Sequence, residues 1–240
     1  SSEYDFLFHS ALSPILNLGL ITPAELLSRV KKYQNKIKIN SYEGFIRQVI
    51  GWREFIRGVY QKYESDFTNN NYFHNSRKMK QSWYEGKTGI FPLDDAITKA
   101  RKFGWNHHIE RLMVIANIMN IARINPKEVY RWFMEFYVDS YDWVMVPNVF
   151  GMGLYSDGGV FATKPYICAS SYILKMSDYK KGEWTDIVDG LYWKFIDENR
   201  EKLKVNPRIG IMTKMIDTMD KNRKNKIYLA ANKFIEEHTT

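Results

Sequence analysis

Cysteine is almost missing from this sequence, which has a single one, Cys168, in 240 residues. One cysteine excludes a disulfide framework and any metal cluster held by several thiolates of this chain. Such low cysteine use is typical of a reducing compartment, and we expect the cytoplasm. No apolar run approaches the ~20 residues that a membrane-spanning helix needs, so we expect no membrane association.

Regular alternation of apolar and polar residues is also missing, which makes a β-sheet improbable and favours an all-α fold. No internal repeat, Walker loop, dinucleotide fingerprint or nucleophile elbow is present. Helix signals are frequent instead. Capping residues Thr22, Asn40, Asn125 and Asn206 precede apolar residues at helical spacing, and further helices are predicted over 92–103, 105–122 and 224–237.

The composition is apolar, aromatic and basic. Hydrophobic residues make up 45% of the chain and aromatic residues 15%, which is enough for a large core. Lysine and arginine exceed aspartate and glutamate by 35 to 27, so the net charge is +8. This balance suits a polyanionic partner such as DNA, although it is also common in lysine-rich proteomes.

Two segments lack clear helical signals. Residues 69–89 are polar and rich in turn residues, and residues 144–185 contain five glycines and two prolines among several aromatic residues. Long loops inside a compact domain are usually functional or disordered, and 144–185 is too aromatic for disorder. We predict that 144–185 is an ordered, site-forming loop.

Three groups of residues have chemical potential. His107 and His108 lack the accompanying ligands of a metal site, so we expect no metal there, and they are either a buried pair or a proton donor at a cleft. Arg111 lies in an apolar stretch and needs a partner, for which Asp139 is the candidate, as a structural ion pair or beside a cofactor. The hydroxyl-rich stretch 10–13 has the chemistry to hold a phosphate.

Several short motifs, taken in order, resemble the flavin-binding domain of photolyases and cryptochromes. They are FHSALSP (8–14), FIRQVIGWREF (45–55), TGIFPLDDA (88–96), GWNHHIERLM (104–113), YVD (137–139), PNVFGM (147–152), DGG (157–159) and KPY (164–166). The last five are similar to one branch, the prokaryotic (6-4) photolyases and iron–sulfur cryptochromes. The resemblance extends from about residue 6 to residue 207.

This resemblance implies an all-α, photolyase/cryptochrome-like domain that binds FAD and acts on UV-damaged DNA. The double histidine would face the lesion, with His108 as the proton donor and His107 beside it. The implied cofactor contacts are Ser10, Leu12, Ser13, Phe45, Arg53, Arg111, Asp139, Met145 and Asn148, the implied DNA contacts are Gln48, Trp52, Lys164 and Tyr166, and the implied electron relay includes Trp132.

The chain departs from this branch at three places. The four cluster cysteines are replaced at Ala96, Lys180, Glu183 and Asp186, so we expect no iron–sulfur cluster. Met145 occupies the position facing the reactive flavin nitrogen, where relatives have a polar residue, and a thioether is only a weak hydrogen-bond acceptor. The relay pair is Trp132 followed by phenylalanine rather than tyrosine.

We expect the N-terminal antenna domain of the family to be absent and residues 1–240 to form one FAD-binding domain, and a separate antenna-domain chain stays open as a partner. The first five residues, SSEYD, are not a natural start, which predicts a fragment or a trimmed chain. The favoured function is light-driven repair of UV photoproducts. The alternatives are a light-sensing flavoprotein without repair activity and a helical nucleic-acid binder without flavin.

Overall fold

The computed structural model describes residues 4–6 and 9–240, and within these ranges the chain is helical without a β-strand. Two isolated bridges pair Arg77 with Ile124 and Met79 with Thr239. The all-α prediction is confirmed. Phe8, which begins the first motif, lies outside the described residues.

Helices account for most of the chain. Their bounds are α1 Ser13–Asn17, α2 Pro23–Lys31, α3 Ile39–Ile46, α4 Arg53–Asn69, α5 Ser82–Glu85, α6 Phe91–Phe103, α7 Asn117–Ile121, α8 Pro126–Phe136, α9 Asp142–Val146, α10 Ser170–Met176, α11 Glu183–Glu198, α12 Arg200–Lys204, α13 Gly210–Met215 and α14 Lys221–His238, with π-helical segments π1 Arg47–Trp52, π2 Glu110–Ala116 and π3 Pro147–Gly153.

Local sequence signals explain several helix ends. Thr22 and Glu25 form a capping box at α2, and the Asn125 side chain accepts the backbone N–H of Lys127 at the start of α8. Gly104 ends α6 at φ +60°, a conformation that glycine adopts without strain. These predicted boundaries are confirmed.

Two predicted caps are wrong. α3 begins at Ile39, one residue before Asn40, whose side chain only accepts the next backbone N–H, that of Ser41. Asn206 precedes a turn closed by a hydrogen bond from the backbone N–H of Gly210 to its carbonyl, and α13 starts only at Gly210. In both places local side-chain bonding of asparagine competes with helix capping.

The prediction of one long loop over 144–185 is also wrong in its extent. α9, π3, α10 and the start of α11 occupy much of the segment, and, apart from the short stretch 177–182, residues 154–169 are the part without a helix. Residues 154–169 are held by side chains of α7. Asn117 hydrogen-bonds to both the backbone and the thiol of Cys168, and Asn120 donates to the Leu154 carbonyl. Glycines and Pro165 hid the helical turns on either side of these residues.

The core is built on two indoles. Trp83 and Trp132 are completely buried, and full burial of such a side chain contributes roughly 1.5–3 kcal/mol. The Trp132 indole N–H donates to the Trp83 carbonyl, and the Trp83 indole N–H donates to the His238 carbonyl at the end of α14. α14 also packs closely on α11, where a Cβ on Gly190 would lie 1.9 Å from the Ile227 carbonyl oxygen.

Candidate cofactor site

A cavity of about 380 Å³ opens between the N-terminal segment, π1, π2 and π3. Its volume and mixed apolar and polar lining are typical of a small-molecule site. Eleven of the predicted site residues line it: Ser10, Leu12, Ser13, Gln48, Trp52, His107, His108, Arg111, Asp139, Met145 and Asn148.

All three π-helical segments contribute to this cavity. π1 provides Gln48 and Trp52, π2 provides Arg111, and π3 provides Asn148 and Met152. A π-turn fits one more residue into each turn than an α-helix and is frequent at functional sites. All three segments of widened helical backbone therefore border the cavity.

Arg111 and Asp139 form a nearly buried ion pair at the cavity wall. The guanidinium donates from both terminal nitrogens to the two carboxylate oxygens, at 2.9 and 3.2 Å. Its Nε donates to the Asn106 carbonyl at 2.8 Å, and its Cζ lies 3.9 Å from the centre of the Tyr137 ring. These contacts fix the guanidinium plane, so the charge has one orientation.

The N-terminal segment is tied to this ion pair. The Ser13 hydroxyl donates to the Asp139 carboxylate at 2.7 Å, and the Asn17 amide donates to the Asp139 carbonyl at 2.8 Å. Arg53 does not line the cavity, but it donates to the Asn17 side-chain oxygen at 2.7 Å and lies over the Trp143 ring. The predicted cofactor residues Ser13, Arg53 and Asp139 thus belong to one hydrogen-bonded network.

The double histidine divides between two local structures. His107 precedes the helix, whereas His108 lies in its first turn. Although His108 is solvent-exposed, the protein atoms packed around its ring lower its pKa below the usual value of 6.5, and the charges of Arg111 and His107 lower it further. Burial also lowers the pKa of His107, with the Glu110 carboxylate acting in the opposite direction.

One wall of the cavity is apolar. It includes Met145 of α9 and Phe133 of α8, and both side chains are buried. Trp132 is behind this wall, with its ring centroid 5.5 Å from that of Phe133. The implied relay residue is therefore separated from the cavity by one aromatic ring.

Besides Arg53, three predicted contacts lie away from the cavity lining. Phe45 is half-buried on α3, and Lys164 and Tyr166 lie on the surface part of the segment 154–169. Nearer the cavity, Trp52 is 38% exposed and Phe55 is 50% exposed, and both rings contact Phe161.

Sequence reasoning missed several lining residues, namely His9, Ala11, Trp105, Asn106, Leu112, Ala116, Phe133, Val144, Met152 and Gly153. Most of them are neighbours of predicted residues on the same turn. Ala11 is distinctive because its φ is +50°, and a non-glycine residue in this region is strained and often marks a functional site. No sequence signal identifies that strain.

Comparison with known proteins shows which family this domain belongs to. Residues 45–179 match the model of the FAD-binding domain of DNA photolyase, which is more than half of the chain. The chain belongs to this photolyase FAD-binding family. The match confirms the resemblance that the motifs predicted, and FAD is the cofactor of such a domain.

Three individual proteins are similar to the chain, and two of them are named as photolyases. A (6-4) photolyase of Agrobacterium fabrum is 39% identical over 84% of the chain, and the chain spans 42% of that protein's length. An uncharacterised protein of Acanthamoeba polyphaga mimivirus is 55% identical over 40% of the chain and 80% of its own length. A deoxyribodipyrimidine photo-lyase of Escherichia coli is 25% identical over 54% of the chain and 29% of its own length.

The residues of the photolyase cavity fit FAD. The apolar wall suits a flat ring system, and the fixed Arg111 guanidinium, the Asn148 amide and the serine hydroxyls provide polar contacts. Within residues 4–6 and 9–240, no three His, Cys, Asp or Glu side chains come close enough to hold a metal ion. Over the same residues, no helix is both long and apolar enough to span a membrane.

Proposed function

We propose that this domain carries out FAD-dependent, light-driven repair of UV photoproducts in DNA, in the manner of a (6-4) photolyase. The observation that carries the proposal is the convergence of both histidines and the Arg111–Asp139 pair on one cavity. The 39% identity to a (6-4) photolyase supports the same lyase activity.

The cofactor side of the cavity would hold FAD through the residues that the motifs implied. Ser10, Leu12 and Ser13 would contact its phosphates, and Arg111 and Asp139 would lie beside its ring together with Met145 and Asn148. When bound in its reduced form and excited by light, FAD supplies the electron that breaks down the lesion. The protein's own task is to bind, orient and exclude water.

The substrate side would receive a lesion flipped out of the duplex. A stacked base cannot reach a buried cofactor, and flipping costs least at a damaged site. Gln48 and Trp52 line the cavity, and the exposed rings of Trp52 and Phe55 offer a stacking surface for bases. Lys164 and Tyr166 would contact the flanking DNA, and the +8 charge would hold its backbone with salt-sensitive affinity.

Proton donation is assigned to His108. A histidine at a cavity wall provides a titratable group close to neutral pH. His108 lines the cavity and is exposed, so its ring is accessible to a molecule bound there.

We also infer that this chain carries no iron–sulfur cluster. Four ligands are needed, and the single cysteine, Cys168, is buried with a thiol pKa raised to about 12. Of the positions where the resemblance expects ligands, Ala96 is core and Asp186 pairs with Lys226 at 2.7 Å. Stoichiometric iron with broad visible absorbance in the purified protein would contradict this inference.

Light sensing without repair is the second candidate. Met145 and Phe133 both line the cavity, and both are departures from the family pattern at places that tune the cofactor or its electron supply. A light sensor needs FAD but not the repair chemistry, so Met145 and Phe133 favour this second function.

One experiment separates the candidates. The purified protein is mixed with FAD, its absorbance is recorded, and the loaded, reduced protein is illuminated with an oligonucleotide that contains a (6-4) photoproduct. We expect flavin uptake and loss of the lesion in light but not in darkness. Uptake without repair favours the sensor, and failure to take up FAD contradicts both flavin functions.

A further inference from the structure

Both ring nitrogens of His107 are turned toward Glu110. Nδ1 lies 3.4 Å from the backbone nitrogen of Glu110 and accepts its N–H, and Nε2 lies 3.6 Å from Oε2 of the same residue. A backbone N–H only donates, so Nδ1 of the neutral ring carries no proton. The proton is therefore on Nε2, where it faces the Glu110 carboxylate.

The Glu110 carboxylate is itself held in place. Lys99 Nζ lies 3.3 Å from its Oε1, and the Asn106 amide donates to Oε2 at 3.2 Å. Lys99 also lies 2.9 Å from the Asp95 carboxylate, which accepts the Tyr179 hydroxyl at 2.5 Å. The Lys99 and Glu110 side chains are 11% and 15% exposed, so solvent screens this ion pair only weakly.

We propose that Glu110 is a positioning residue that holds His107 in the Nε2–H tautomer, leaving His108 as the one histidine of the pair free to exchange a proton with a molecule in the cavity. The tautomer follows from the geometry alone. The consequence for proton exchange rests on the proposed function.

The charged and titratable groups around His107 agree with this role. His108, Glu110 and Arg111 come from its own segment, Lys99 comes from α6, and the His9 ring stacks on it at 5.1 Å. A second proton would have to enter at Nδ1 and displace the Glu110 N–H. His107 thus stays neutral where a proton donor would have to be charged.

Nuclear magnetic resonance of the ¹⁵N-labelled protein, in darkness and without DNA, tests the tautomer directly. We expect the His107 ring to show the Nε2–H pattern at neutral pH. In E110Q the His107 pKa should fall by about one pH unit, because a carboxylate that favours the charged ring is gone. In K99M it should rise, because a repelling cation is gone.

The opposite signs exclude a general disturbance of the fold, which would move both variants the same way. E183Q, which removes an exposed carboxylate on α11, is the matched control and should leave His107 unchanged. An Nδ1–H pattern in the wild type, or equal shifts in all three variants, would overturn the proposal. If E110Q does not fold, the wild-type tautomer and K99M still decide it.

Repair assays then separate this inference from the proposed function. If wild type repairs, E110Q should change the pH profile of repair, and the E183Q profile should match wild type. If wild type does not repair, the proposed function fails, and the tautomer measurement continues to stand or fall independently.

Discussion

The Arg111 guanidinium and the Asp139 carboxylate are joined by two hydrogen bonds across 28 residues of sequence, and both side chains are nearly buried. Ser13 adds a third hydrogen bond to the same carboxylate. The cavity wall and the N-terminal segment thus contact the same ion pair. We therefore expect a change at Arg111 or Asp139 to affect binding of the cofactor.

Replacing Arg111 with alanine, or Asp139 with asparagine, should weaken FAD retention. Each change leaves a poorly solvated partner without its counter-charge, which costs about 3–5 kcal/mol when the pair is fully buried. The flavin-to-protein absorbance ratio after gel filtration measures the effect. R47A removes the exposed Arg47–Glu43 pair and should retain FAD like the wild type, and equal occupancy in every variant would place the Arg111 pair outside the cofactor site.

Replacing His108 with alanine should abolish repair while FAD binding stays nearly intact. A general acid contributes about 10²–10⁴-fold, so its loss should be evident in the initial rate of lesion removal. His107→Ala is the comparison and should retain more activity, because its nitrogens face Glu110 rather than the cavity. Equal repair by wild type and the His108 variant would remove the proton-donor assignment.

Repair should become faster as the pH falls toward and below 6.5. The protein atoms packed around its ring, followed by the charges of Arg111 and His107, hold the pKa of His108 below this value, and proton donation requires the protonated ring. Rates on a lesion-containing oligonucleotide across pH measure this, with His108→Gln as the flat control. A profile that is the same in both proteins would assign the proton to another group.

The lowered pKa of His108 should also make the folded protein less stable as the pH falls, which is opposite to its effect on the rate of repair. A histidine whose pKa is lowered by folding takes up its proton more readily in the unfolded chain. The free energy of unfolding in urea should therefore decrease as the pH falls through 6.5, and this decrease should be smaller in His108→Gln.

Replacing Trp132 with phenylalanine should slow light-driven bleaching of bound oxidised flavin several-fold. Trp132 is fully buried, lies 5.5 Å from Phe133 and stacks on Phe136 at 4.1 Å, so it can pass an electron toward the cavity. Trp193→Phe on α11 is the control. Chemical reduction by dithionite should be equally complete in both variants, and unchanged photobleaching in Trp132→Phe would exclude this residue from the relay.

Much of the fold could be predicted from local sequence because its helices carry their own signals. α2, α6 and α8 begin or end at Thr22, Gly104 and Asn125, where capping and backbone freedom are local properties. α9 and α10 escaped prediction because they are short, at five and seven residues, and lie at least partly in a segment that contains several glycines and prolines. Their helical form depends on packing against α4, π3 and α11, which a single segment does not reveal.

The types of residue in the site could be predicted from the sequence, but the orientations of their side chains could not. A charge in an apolar stretch needs a partner, and Arg111 does meet Asp139. The orientation of His107 toward Glu110 was not predictable, because it depends on a backbone N–H and on Lys99 from another helix. The placement of Lys164 and Tyr166 outside the cavity lining likewise depends on how residues 154–169 fold over α7.

The three π-segments give single residues control over the width of the cavity wall. Deleting one residue from π2 should restore an ordinary α-helix without breaking the chain's helical path. Because a π-turn holds about one residue more than an α-turn, the side chains before and after the deletion should keep nearly their present orientation. Short deletions here are therefore a way to narrow the helix beside Arg111 while composition and fold stay almost unchanged.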